Sequence, residues 1–357
     1  MASSAALLPS FLRRLSIQPQ IKLFNHLNQL ERQRAQSALS PESPFNVLQA
    51  THRTTKDLNR YNDILPYMHS RILVNHPGQQ QLSASYINAS RITTPPRLRS
   101  SLPQDWQGYI ATQAPLPHTQ AQFWRMIDQQ NVHVIVCLTP VSQDRSKRAQ
   151  KAERYWPRAG ETDELDADLF VRNLDEMDSE DQIVYRQLEL WNPSIGPSGL
   201  RRQILLVHYQ GWPDHGVPTQ TMDLRDILYR IRAWKAEQQR QHQQQINFGP
   251  IAVNCSAGCG RTGTFCVVDT ALSVLEHTRY PYLAPPPNGQ SSSTNGVQID
   301  ADPGVGLQGD AYDWNGNRDI IFEALSSFRE ERMLMVQTAA QYYFCYEVVR
   351  DLCLKDR

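Results

Sequence analysis

The run Pro250-Ile-Ala-Val-Asn254 is short, apolar and β-branched. It breaks at once into Cys255-Ser-Ala-Gly-Cys-Gly-Arg-Thr-Gly263, and Thr262 to His277 then reads as a helix. A buried strand feeding a glycine-rich turn and a helix constrains the fold more than any other feature of the chain, because it demands an α/β layer. Gly258, Gly260 and Gly263 let the backbone turn with its N–H groups pointing inward. Such a nest at a helix N-terminus binds anions. Arg261 adds a planar cation that grips two phosphate oxygens at once. Cys255 stands at the strand end, where inward N–H dipoles, the helix N-terminus and a guanidinium all favour its thiolate. A thiolate facing a bound phosphate is placed to attack phosphorus.

Two other readings compete for this loop. A nucleotide-binding loop needs G-x-x-x-x-G-K-[ST]. Here Cys255 stands where the first glycine belongs and Arg261 replaces the lysine. A plain glycine-rich turn with an incidental buried cysteine does not account for Cys, three Gly, Arg and Thr together.

The rest of the chain supports an α/β class. Val132–Leu138, Gln203–Tyr209 and Pro250–Asn254 read as strands buried on both faces, and Ile183–Leu190 as a strand with one wetter face. Ala121–Gln130, Met222–Gln245 and Ala339–Leu354 have helical spacing. Residues 1–44 read as a tail leading into a helix near Ile21–Leu39, ahead of a catalytic domain over 45–357. Gly160–Asp181 is acidic and reads as a long surface connection. Pro285–Asn317 is poor in large apolar residues and reads as a disordered insert. Asp313-Trp-Asn315-Gly begins like a calcium loop, but the glycine required at its sixth position is Arg318.

Lys plus Arg is 36 and Asp plus Glu is 36, so the formal net charge is zero. Nothing favours nucleic acid, which needs a basic excess. No apolar run approaches the roughly 20 residues of a membrane helix, so a soluble protein is expected. The start lacks acids through residue 30 and carries Arg13 and Arg14, a weak mitochondrial-presequence pattern set against a plain tail. Six cysteines are too sparse for a disulfide scaffold and suit a reducing compartment, so the protein is expected in the cytoplasm, with the nucleus as an additional location. No Cys/His cluster has zinc spacing, and no metal or organic cofactor is expected.

The Cys-x5-Arg loop followed by Thr-Gly resembles the signature of protein tyrosine phosphatases. The resemblance covers roughly residues 45 to 354. It continues through Asn59-Arg-Tyr-Asn-Asp63, Tyr86-Ile-Asn-Ala89, Tyr109-Ile-Ala-Thr-Gln-Ala-Pro115, Phe123-Trp124, Lys151 with Tyr155-Trp-Pro157, His208-Tyr209, Trp212-Pro-Asp-His-Gly216, and Val336-Gln-Thr338 with Gln341. It implies a twisted mixed sheet with a mostly parallel core flanked by helices, and hydrolysis of phosphotyrosine through a phosphocysteine. The implied phosphate cradle is Ser256, Ala257, Gly258, Cys259 and Gly260 with Arg261.

Cys255 must expel a tyrosine oxygen, a poor leaving group unless protonated, so a general acid is required. The resemblance assigns this to Asp214, which then serves as base for the hydrolytic water. By spacing alone, Pro213-Asp-His-Gly216 is equally a surface turn. Gln337 and Gln341 are four apart, and by resemblance they position that water; from spacing alone they are equally two solvent-facing amides. Thr262 donates to the Cys255 sulfur, or else satisfies a helix N-terminus. By the same resemblance Tyr61 is expected to wall the substrate ring pocket and deepen it against phosphoserine, Asp63 to hold the substrate peptide's N–H groups, and Lys151 to pair with the acid loop. A core tyrosine and a solvated aspartate are the plainer readings of the first two.

Two positions depart from the family pattern. His215 replaces an aromatic Phe after the acid, which predicts a modest change in loop closure or pH profile. Asn254 replaces the His before the nucleophile. It keeps an amide donor but no cationic form, which predicts an active but weakened enzyme and keeps a binding-only module in view. A scaffold acting through the 285–317 insert is a third class. Family-level analogy with soluble relatives points to mitogen-activated protein kinases as substrates and to a monomer.

Overall fold

The computed structural model describes residues 8–13, 15–75, 85–141, 151–166, 168–178, 182–193, 201–213, 216–243, 245–278 and 318–355. The 285–317 insert and the calcium-like Asp313 stretch lie outside the described residues. In chain order the strands are β1 (Arg71–Leu73), β2 (Tyr86–Ile92), β3 (Tyr109–Thr112), β4 (Val134–Cys137), β5 (Thr162–Asp166), β6 (Leu169–Asp178), β7 (Ile183–Trp191), β8 (Arg202–Tyr209) and β9 (Ile251–Asn254). The main helices are α1 (Ile17–Gln36), α2 (Gln120–Gln129), α3 (Met222–Gln241), α4 (Gly260–Thr278), α5 (Ile320–Glu331) and α6 (Ala339–Lys355).

Among the described residues the strands form one sheet in the order β1-β2-β3-β9-β4-β8-β7-β6-β5. The centre is parallel: β9 lies between β3 and β4, and β4 pairs with β8. The outer pairs are antiparallel. This is the mixed, parallel-cored sheet expected from the sequence. The central strands read as unbroken apolar runs because both faces are covered. Val134, Val136, Val207, Val253 and Phe265 belong to a core shared with α3 to α6. The alternate residues Ile135, Cys137, Leu206 and Ala252 pack on Phe123, Trp124 and Met126 of α2. Each fully buried large side chain of this kind contributes about 1.5–3 kcal/mol.

Helix α4 is buried from Gly260 to Leu275. It is buried on all sides because it lies between the sheet and helices α5 and α6. Its N-terminus therefore emerges at the carboxyl edge of the parallel strands, where crevices form in open α/β sheets.

The acidic stretch expected as a surface connection is instead a hairpin of β5 and β6, paired onto β7. Leu169, Val171 and Asn173 alternate inward and are fully buried, while Arg172, Asp175 and Glu176 of β6 and Asp163 and Glu164 of β5 face water. Helix α1 begins earlier than expected, at Ile17, because Pro19 sits in its first turn, where a missing N–H costs nothing. Phe24 and Leu27 of α1 join the main core beside Leu8 and Leu12. Among the described residues no helix is long and apolar enough to cross a membrane.

Candidate active site

Strand β9 ends at Asn254, and the following loop turns beneath a cavity of about 310 Å³. Cys255, Ser256, Ala257, Cys259, Gly260 and Arg261 form its floor. Tyr61, Asp63, Lys151, Gln337 and Gln341 form its walls. Chain positions from 61 to 341 thus converge on one thiol. Gly258 lies below the floor with φ +71°, and a Cβ there would sit 2.2 Å from the Thr112 carbonyl oxygen. Only glycine accepts both that dihedral and that approach. A Cβ on Gly260 would press on the Gln337 and Gln341 amides at 3.0–3.2 Å, which shows how closely the two glutamines overhang the loop.

Cys255 is 4% exposed. Burial alone pushes its thiol up. The Arg261 guanidinium, the Thr262 hydroxyl and the backbone N–H groups of Thr262 and Cys259 outweigh burial, and the pKa falls below the ordinary thiol value. The Thr262 hydroxyl is buried beside Cys255 and has no other partner among the described residues, so its effect falls on the thiol. Cys259 is the opposite case: burial and the neighbouring Cys255 charge push its thiol up to about 12. Cys259 therefore contributes its backbone rather than a second thiolate; its carbonyl accepts from the N–H groups of Gly263 (2.7 Å) and Val336 (3.2 Å).

Tyr61 is fixed by a relay. Ser256 Oγ donates to the Lys151 carbonyl at 2.6 Å, which uses its one proton. The Tyr61 hydroxyl, 2.7 Å from Ser256 Oγ, must then be the donor between them. The segment before Tyr61 is stapled to the end of β3: Gln113 Oε1 accepts from Arg60 N (2.8 Å), and Gln113 Nε2 donates to the Leu58 carbonyl (2.9 Å). The pocket wall is thus set by the same sheet edge that carries Cys255.

Asn254 is fully buried. Its Oδ1 accepts from the Tyr155 hydroxyl at 2.7 Å. Its Nδ2 donates to the Cys255 carbonyl (3.4 Å) and to the Cys137 sulfur (3.6 Å). The amide therefore holds the backbone at the nucleophile, although it brings no positive charge. Asp214 and His215 lie outside the described residues, but their flanks are placed. Trp212 is buried and its Nε1 donates to the Gly216 carbonyl at 3.1 Å. Arg261 Nη1 donates to the Trp212 carbonyl at 3.3 Å.

Two residues that sequence reading passed over carry the loop. Arg332, just after α5, is fully buried. Its Nε donates to the Gly258 carbonyl (2.6 Å), and its Nη2 to the Ala257 carbonyl (2.9 Å) and Asn88 Oδ1 (2.8 Å). With two carbonyls of the loop turned down onto Arg332, its N–H groups are free to face the cavity. Arg329, one helical turn earlier and also fully buried, donates to the carbonyls of Met335 (2.9 Å) and Val336 (2.7 Å). Val336 has φ +57° and Leu334 φ +56°. A β-branched residue there is strained by about 1–3 kcal/mol, and Arg329 holds the strained segment just before Gln337. The available signal was the apolar spacing Ile320, Ile321, Ala324, Leu325, Phe328 after Asp319, whose side chain caps α5 by accepting from Phe322 N at 3.0 Å.

Residues 55–284 and 314–351 match the family described as protein-tyrosine phosphatase. Protein-tyrosine-phosphatase PTP1 of Arabidopsis thaliana is 29% identical over 307 residues, covering 86% of this chain and 73% of that protein. Tyrosine-protein phosphatase 3 of Dictyostelium discoideum is 29% identical over 296 residues, and receptor-type tyrosine-protein phosphatase F of Rattus norvegicus is 26% identical over 367. The chain spans only 24% and 16% of those two longer proteins. A solved structure described as the basis of the PTPN18 fingerprint on distinct HER2 tyrosine phosphorylation sites covers 98% of this chain, at a TM-score of 0.67 and 24% identity. That likeness concerns the fold.

Proposed function

The chain belongs to the protein-tyrosine phosphatase family, and from that premise we propose that Cys255, Arg261 and Asp214 hydrolyse phosphotyrosine on proteins through a phosphocysteine. The observation that carries this assignment is the buried Cys255 thiol held below its ordinary pKa, against burial, by Arg261 and the loop.

The substrate phosphate enters between Tyr61 and the floor. The loop N–H groups and the Arg261 guanidinium hold its non-bridging oxygens and follow them as charge builds in the transition state. The Cys255 thiolate attacks phosphorus, an S–P bond forms, and the P–O bond to the tyrosine breaks. Asp214 gives its proton to the departing phenolate oxygen. In the second step Gln337, with Gln341, orients a water on the phosphocysteine. Asp214, now a carboxylate, takes the water's proton; the S–P bond breaks and inorganic phosphate leaves. The Thr262 hydroxyl stabilises the returning thiolate. Asp63 holds substrate backbone N–H groups at the rim, and the Lys151 side chain supports the acid loop.

The depth set by Tyr61 favours phosphotyrosine over phosphoserine. Soluble relatives suggest mitogen-activated protein kinases as substrates and a monomeric enzyme. Six free cysteines, all buried, fit a cytoplasmic setting. The catalytic unit is taken as residues 45–357. The test is hydrolysis of matched phosphotyrosine and phosphoserine peptides by wild type, Cys255→Ser and Asp214→Ala. Turnover of the first peptide alone, abolished in Cys255→Ser and strongly reduced in Asp214→Ala, supports the assignment. Binding without turnover by wild type would make the chain a phosphotyrosine-binding module instead.

A further inference from the structure

Helix α1 lies wholly before the family match, which begins at residue 55. It nevertheless touches the side chain that holds the segment carrying Gln337. Arg329 has three directions of donation. Nε and Nη2 hold the carbonyls of Met335 and Val336, and Nη1 donates to Asn28 Oδ1 of α1 at 2.8 Å. Phe24 of α1 lies under the same guanidinium, 5.0 Å from its carbon to the ring centroid. That ring also stacks on Tyr342 of α6 at 5.5 Å. Glu31, one turn on, places a carboxylate near Arg329 and accepts from the Tyr67 hydroxyl at 3.1 Å.

The segment held this way is strained, with Leu334 and Val336 both at positive φ. It ends at Gln337, whose backbone N–H donates to Gln341 Oε1 at 2.9 Å. A shift of the Val336 carbonyl would therefore move the amides that overhang Gly260. The phosphate floor has support of its own, since Arg332 holds the Gly258 and Ala257 carbonyls, while the strained segment reaches the floor through the Val336 N–H that donates to the Cys259 carbonyl at 3.2 Å.

We propose that α1 is a positioning element for the hydrolytic step: Asn28 orients Arg329, and Arg329 sets the backbone that aims Gln337 at the phosphocysteine. This rests on the reading that Gln337 guides the water. Attack by Cys255 does not need that water, so the coupling acts mainly on breakdown of the intermediate, and formation changes little.

The two steps separate in stopped flow with p-nitrophenyl phosphate. Release of p-nitrophenolate reports formation of the phosphocysteine, and the steady state reports its breakdown once that step is slow. Asn28→Ala is expected to form the intermediate within twofold of the wild-type rate and to break it down about tenfold more slowly, the effect of a displacement smaller than the roughly 1 Å that can cost about 100-fold. A burst of p-nitrophenolate then becomes visible, and acid-quenched protein carries phosphate. Asn28→Asp keeps an acceptor for Arg329 and is expected to restore breakdown. Gln337→Ala, run in parallel, should also accumulate intermediate. Breakdown within twofold of wild type in Asn28→Ala, or equal slowing of both steps, overturns the coupling. If Gln337→Ala also breaks down normally, the role of Gln337 falls with it; if Gln337→Ala is slow while Asn28→Ala is normal, only the coupling falls.

Discussion

Arg332→Met is the substitution that most sharply separates a held phosphate loop from one that folds by itself. The methionine fills the volume but donates nothing. Three buried acceptors lose their donor, the Gly258 carbonyl, Asn88 Oδ1 and, more weakly held at 3.2 Å, Ser90 Oγ, while Ala257 is only half-buried and can be reached by water. An orphaned buried acceptor costs about 1–3 kcal/mol. Relief of the guanidinium's own desolvation offsets part of this, so the net loss is about 3 kcal/mol. In a domain of this size that lowers Tm by about 4–5 °C. The Asn88 Nδ2 bonds to Asn59 Oδ1 and the Ile64 carbonyl survive, which keeps the fold intact below that temperature. The loop carbonyls are then free to turn upward, and each that does so removes an N–H from the phosphate. Activity toward a phosphotyrosine peptide, measured well below Tm, should fall at least about 100-fold, the scale of losing one oxyanion donor. Thermal unfolding within 1 °C of wild type (an experimental threshold of about 0.7 kcal/mol) and activity within about twofold would refute the reasoning.

Three further outcomes follow from charge and burial. Only the thiolate alkylates, so Cys255 inactivation by iodoacetamide should rise with pH and level off below the ordinary thiol range; Arg261→Ala should move the inflection up and Asn254→His should move it down. An inflection at about 8.5 in wild type, the free-thiol value, would contradict the electrostatics. Burial raises the Glu331 carboxyl from 4.5 to about 7, despite hydrogen bonds from Thr93. Because the folded value is the higher one, folding favours the protonated form, and stability is lost as pH climbs from the unfolded value through about 7. Glu331→Gln should therefore gain on wild type between pH 5 and 7.5, by at most about 3 kcal/mol; parallel urea titrations that give a constant difference would dismiss this. Peroxide should inactivate the enzyme reversibly through a sulfenic acid at Cys255, with recovery in dithiothreitol, and Cys259→Ser should leave the initial oxidation rate unchanged because burial keeps that thiol protonated.

The phosphate loop was legible because local and chemical demands coincide there. Glycine at 258 and 260, a cation at 261 and a thiol at 255 satisfy backbone geometry and phosphate binding at once. The parallel centre of the sheet was equally visible, since Val134, Val136, Val207 and Val253 sit on strands covered on both faces. The β5–β6 hairpin was not, because its solvent face is so acidic that the inward alternation of Leu169, Val171 and Asn173 is hidden in the composition. Arg329 and Arg332 were missed for a related reason. An arginine in or just after the last turn of a helix ordinarily reads as solvated, and beyond the apolar spacing of α5 nothing local announces that both are fully buried with backbone carbonyls among their partners. Asn254 was recognised as a departure, and the structure adds what the amide does. Its donor turns to the Cys255 carbonyl and the Tyr155 hydroxyl fixes its orientation.

The account stands or falls on the covalent intermediate. Wild type mixed with a phosphotyrosine peptide, quenched in acid within the first turnover and digested, should yield one phosphorylated peptide, the one containing Cys255, and none from Cys255→Ser. Phosphate on a different residue, or turnover that persists in Cys255→Ser, would contradict it.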